Sequence, residues 1–80
     1  MKNLREILEK KTRKELAYLI GLGSYQRAKI LGRDTKERKI KQIADIVFKG
    51  RWGYPARKKP QMIAEVLEHI GAKNLRPEQI

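Results

Sequence analysis

Apolar residues recur every three to four positions along most of this chain, and no stretch alternates with a period of two over a strand's length. Leu4, Ile7 and Leu8 stand at i, i+3 and i+4, which predicts a short amphipathic helix over 3–11. Thr12-Arg-Lys-Glu15 has the spacing of a capping box, in which the Thr12 hydroxyl accepts from the Glu15 amide and the Glu15 carboxylate accepts from the Thr12 amide. A second helix over 13–20 puts Leu16, Leu19 and Ile20 on one face. Gly21 is suited to end it, because glycine adopts the left-handed conformation without steric cost. Ser24 is placed to cap a third helix, 25–31, closed by Gly32. Asp34-Thr-Lys-Glu37 repeats the capping spacing ahead of the strongest helical pattern, 35–49, with Ile40, Ile43, Ala44 and Val47 as its apolar stripe. Pro60 fits the first turn of a last helix over 60–70, which carries Met62, Ile63, Val66, Leu67 and Ile70 and ends at Gly71. The pattern predicts an all-α fold of about five short helices in a single domain over 1–72. Residues 73–80 read as a tail, in which Pro77-Glu-Gln-Ile80 can start one more turn.

Size and charge narrow this picture. A chain of 80 residues buries only about 60% of the surface its unfolded form exposes, so its core must be compact. It has no cysteine, so neither disulfides nor a structural zinc supplements that core, and homodimerisation stays open. Twenty Lys and Arg against nine Asp and Glu leave a net charge of +11. Such an excess repels itself until a polyanion relieves it, which makes nucleic acid the expected partner and a membrane surface the lesser one. The opening MKNLREILEKK sets acids among its apolar residues, unlike a secretion signal or a transmembrane segment, and with the absence of cysteine it favours the cytoplasm. Abundant Ile, Lys, Arg and Glu with little Asn is a thermophile-like composition.

Catalysis finds little in these residues. The one histidine, His69, stands near the end of the last predicted helix, where a protonated imidazole interacts favourably with the helix dipole. Glu65 and His69 share a helical face, but two ligands from one helix are too few for a metal site. The remaining carboxylates suit caps and i,i+4 pairs. The expectation is a non-enzymatic protein with no cofactor and no metal.

The basic residues are better organised. Lys36, Arg38, Lys39 and Lys41 occupy the N-terminal half of the 35–49 helix, where cations oppose the helix dipole at about 0.3 kcal/mol or more each. Repeating that cost is explained if the charges face a polyanion; a solvated face partly neutralised by Glu37 and Asp45 is the plainer alternative. From Ile46 to Ala64 there is no acid, while Lys49, Arg51, Arg57, Lys58 and Lys59 surround Trp52 and Tyr54. Basic residues interleaved with aromatics suit phosphate contacts combined with base stacking. Trp52 has a second reading, folded back over a core that needs aromatic area, as Phe48 is expected to be. Tyr54-Pro55 favours an ordered turn.

The run Leu16-x-x-Leu19-Ile20-Gly21-Leu22-Gly23-x-x-x-x-Ala28-x-Ile30-Leu31 resembles the helix-hairpin-helix motif of DNA-binding proteins. That resemblance implies that the amides around Gly21, Gly23 and Ser24 hold a phosphate, helped by Arg27 and Lys29. Ala28 falls one position later than in that family, and Tyr25 or Gln26 stands where it commonly has a lysine. Thr12-Arg-Lys-Glu-Leu16 through Gly21-Leu22-Gly23, followed by Lys36-Glu-Arg-Lys-Ile40, is similar to the SAP motif, with a longer linker than usual. Both resemblances imply duplex DNA. A helix-turn-helix pairing of 25–31 with 35–49 across Gly32-Arg33-Asp34 would place the second helix in a major groove. The resulting expectation is a small DNA-binding protein of transcriptional or architectural type. Its contact surface would comprise Arg27, Lys29, Arg33, Lys36, Arg38, Lys39 and Lys41 with the 49–59 loop. RNA or ribosome binding is one alternative. The other is a module that docks an acidic protein partner, with the Met62–Ile70 stripe as interface, which burial of Ile63, Val66, Leu67 and Ile70 within one chain would weaken.

Overall fold

The computed structural model describes residues 3–80; Met1 and Lys2, the first residues of the expected 1–72 domain, lie outside them. The described chain forms four α-helices, α1 (Leu4–Glu9), α2 (Arg13–Ile30), α3 (Arg38–Lys49) and α4 (Lys59–Gly71), followed by a short 3-10 turn over Pro77–Gln79. The all-α expectation holds, with one helix fewer than the five predicted, because 13–20 and 25–31 are parts of a single α2.

Local chemistry explains most of the boundaries. The Asn3 side chain accepts from the Glu6 amide at 2.9 Å and starts α1. The Thr12 box forms as expected: the Thr12 amide donates to Glu15 Oε1 at 3.0 Å and the Glu15 amide donates to Thr12 Oγ1 at 3.2 Å. The Thr12 backbone amide first, and the Thr12 hydroxyl second, hold the Glu15 carboxyl below its usual range. At the far end of α2, Gly32 has φ +73°. Its amide reaches the Lys29 carbonyl at 3.0 Å and the Arg33 amide reaches Ala28 at 2.9 Å, the paired bonds of a Schellman motif.

Between these ends, Gly21 and Gly23 do not break the helix. Glycine costs a helix interior about 1 kcal/mol relative to alanine, so something must offset it twice. Both glycines are buried. A β-carbon on Gly21 would run into the Ile40 carbonyl oxygen and stand 3.2 Å from the Ala44 amide nitrogen of α3. One on Gly23 would lie 2.6–3.0 Å from the His69 side chain of α4. The pair is therefore the place where α3 and α4 close on α2 from two sides. Gly21 ends no helix, and Ser24 caps none.

Two further expectations change. The Asp34 box does not form: α3 begins at Arg38, after a connection spanning Leu31–Glu37, and Glu37 makes no capping side-chain bond. At the end of α4, Gly71 is the last helical residue, but the left-handed position belongs to Lys73, with φ 65°. Its amide bonds Ile70 at 3.0 Å while the Asn74 amide bonds His69 at 2.8 Å. This second Schellman motif turns the chain back on itself, so residues 73–80 are no free tail: Leu75 is buried in the core and Asn74 beneath the surface.

The start of α2 reaches the start of α4 and its Gly23 meets the end of α4, so these two helices run in the same direction, with α3 antiparallel beside α2. Leu8, Leu16, Met62, Val66 and Leu75 are fully buried between the elements, joined by Leu19, Ile20, Val47 and Ile63. Leu67 and Ile70 pack against the same cluster. Ile63 and Val66 are buried and Leu67 and Ile70 half-buried within this one chain, which weakens the protein-docking alternative.

Candidate nucleic-acid interface

The segment between α3 and α4 is irregular but tightly braced. Gly50, with φ +75°, lies so close beneath the backbone of Tyr54, Pro55 and Ala56 that a β-carbon has no room. The Arg51 and Tyr54 amides each donate to the other residue's carbonyl, both at 2.7 Å. Trp52-Gly53 makes the turn between them, and the positive φ of Gly53, 82°, after a residue of negative φ has the sign pattern of a type II turn. At the base of the loop the Arg57 amide donates to Val47 at 3.1 Å. Arg13 closes it from α2: Nη2 donates to the carbonyls of Phe48 and Arg57, each at 2.9 Å, and its guanidinium lies 4.9 Å from the Phe48 ring centroid.

This bracing holds an aromatic pair in water. Trp52 is 98% exposed and Tyr54 61%, with the Arg51 guanidinium 5.4 Å from the Tyr54 ring centroid. The reading of Trp52 as a core cover is overturned. Phe48 does pack against the core, and the short turn carries Trp52 away from it.

The other candidate residues divide by employment. Arg27, Arg33, Lys36, Arg38, Lys39, Lys41 and Lys58 are exposed. Lys29 is exposed over the Tyr25 ring at 5.0 Å, and its hydrogen bond with Tyr25 holds its ammonium above the usual range. Lys49 is also exposed, 3.3 Å from Asp45 one helical turn back. Two residues have structural tasks. Arg57 Nε pairs with Glu65 Oε1 at 2.7 Å, and Lys59 Nζ donates to the Glu9 carbonyl at 2.6 Å, tying α1 to α4. Gly21, Gly23 and Ser24 stand inside α2, so the hairpin implied by the helix-hairpin-helix resemblance is not formed, and their amides cannot cradle a phosphate. The Leu31–Glu37 connection is also longer than the three or four residues of a helix-turn-helix turn.

Arg13 was not among the sequence candidates. Its signal was the same one that drew attention to Lys36: a cation in the first turn of a helix, where the dipole disfavours it. Here the compensation is two carbonyls, that of Phe48 in the last turn of α3 and that of Arg57 in the loop.

Beside the turn, an open groove of about 420 Å³ runs between α2, α3, the loop and α4. Ser24, Arg27, Arg51, Tyr54, Glu65 and His69 are among its walls. His69 is half-buried, and burial holds its imidazole below its ordinary value of 6.5, so it is neutral at pH 7 and not the charged dipole partner expected. Asn74 Nδ2 donates to His69 Nδ1 at 3.1 Å, which leaves the proton on Nε2. Among the described residues no group of three His, Asp or Glu gathers as metal ligands, and no helix is long and apolar enough to cross a membrane. Set against family models, curated proteins and solved structures, the chain matches none, so its own residues carry the functional reading.

Proposed function

We propose that this chain is a small non-enzymatic DNA-binding protein that favours duplex DNA and grips it through phosphate-neutralising Lys and Arg. The observation that carries the reading is the braced turn that holds Trp52 out in solvent between Arg51 and Tyr54. An indole buries roughly 150–250 Å² when covered, about 25 cal/mol for each Å², and a rigid turn loses little further entropy on contact. The surrounding stretch from Ile46 to Ala64 has no acid to repel a phosphate. Arg38, Lys39 and Lys41 add exposed cations at the N-terminal end of α3. Cations on a helix and an exposed aromatic wedge on the same molecule suit a double strand, where the wedge parts a base step and the cations hold the backbone, as an architectural factor does.

The test is binding to matched duplex DNA, single-stranded DNA and duplex RNA across a salt series. Tight duplex-DNA binding with a steep salt slope is expected. Stronger binding to RNA would move the reading to RNA or ribosome association, and weak, equal binding to all three would overturn it.

A further inference from the structure

The groove beside the turn is poorly suited to phosphate and well suited to something more directional. Glu65 and Glu68 both line it, and either would repel an anion. Glu65 Oε1 is taken by Arg57, but Oε2 is buried without a hydrogen-bond partner. A buried carboxylate oxygen left unpaired costs free energy until a donor reaches it. The same groove offers donors: the Nε2–H of His69, fixed in that tautomer by Asn74, together with Ser24 and Arg27. Tyr54 and Arg51 belong to both the groove and the Trp52 turn. A site with one unpartnered acceptor, donors beside it and flat groups at its mouth has the complement of a nucleobase edge that carries an amino group.

We propose that this groove receives one unpaired, amino-bearing base, adenine, cytosine or guanine, from DNA held by the surrounding cations, with Glu65 Oε2 accepting from the exocyclic amine. Trp52 then stacks on a neighbouring base or closes the gap the displaced base leaves. This rests on the nucleic-acid reading and adds a preference to it: a distorted duplex over a perfect one, and an amino-bearing base over thymine.

The experiment measures affinity for one duplex sequence, either perfect or carrying a single unpaired A, C, G or T. Expected are tighter binding to the A, C and G bulges than to the perfect duplex, and a preference over the T bulge of about tenfold, the scale of one hydrogen bond to a charged group. Glu65→Gln, which keeps the shape but removes the acceptor's charge and frees Arg57, should narrow the spread among the four bulges, each read as a ratio to that variant's own perfect-duplex affinity. The wild-type ranking is independent of whether that variant folds. A T bulge bound as tightly as a C bulge overturns the groove assignment and leaves DNA binding standing. No binding to any of the duplexes overturns both.

Discussion

The chain carries two glycine pairs between apolar runs, Gly21-Leu-Gly23 and Gly50-Arg-Trp-Gly53, and it uses them in opposite ways. In the first pair the backbone is ordinary helix and what matters is the missing side chain, since α3 and α4 occupy the space a β-carbon would need. In the second pair the backbone itself is unusual: both glycines have positive φ, and Gly53 has nothing near it for a β-carbon to meet. The first pair builds the bundle; the second builds the turn that exposes Trp52. Glycine spacing alone cannot separate these uses, because one depends on neighbours distant in sequence and the other on local dihedral angles.

Substitution separates them, and Gly21→Ala should have the largest effect. In an unobstructed helix interior, alanine would gain about 1 kcal/mol. Here the clash with the Ile40 carbonyl involves backbone that cannot step aside, so a net loss of about 2 kcal/mol or more is expected in urea denaturation. A gain in stability would mean that α3 does not lie against Gly21. Gly53→Ala should cost about 1–2 kcal/mol through left-handed strain alone, with no packing component. Its effect should also appear at the turn, as a change in the mobility of Trp52.

His69 sharpens the contact with the first pair in a different way. Its folded-state value lies below its ordinary value of 6.5, so the unfolded chain binds a proton more readily than the folded one. The sign follows: at neutral pH and above both states are unprotonated, and stability declines as pH falls below about 6.5 toward the lower folded value. Denaturation midpoints at pH 7.5 and pH 5.5 should therefore differ more in the wild type than in His69→Gln. Equal differences would place the acid sensitivity elsewhere.

These contrasts also mark what the sequence made legible. The Thr12 box, the Gly32 closure and Pro60 in the first turn of α4 follow from short-range hydrogen bonding and fixed dihedrals, and all three were readable. So was much of the core, because Leu16, Ile20, Met62 and Val66 fall on helical stripes. The unity of α2 was not, since Gly21 is as good a stop signal as it is a packing position until Ile40 is known to approach. Asp34 had capping spacing, but the chain reaches α3 through a longer connection. Leu75 was hidden because one apolar residue after a helix shows no periodicity. At the candidate interface, the charge and the Trp52-Tyr54 pair were visible, whereas the bracing by Arg13 and the employment of Arg57 and Lys59 depend on contacts far apart in the chain.

The central claim is that the Trp52 turn is the contact point with DNA, and Trp52 is the chain's one tryptophan. The most direct measurement is therefore its fluorescence during titration with duplex DNA, followed in parallel by the anisotropy of a label on the DNA. The account predicts a saturable change in tryptophan emission that tracks the anisotropy, and a loss of about tenfold or more in affinity for Trp52→Ala, the scale of one base–aromatic stack. DNA that binds while the emission stays that of a free, water-exposed indole, with Trp52→Ala binding as tightly as the wild type, would contradict it.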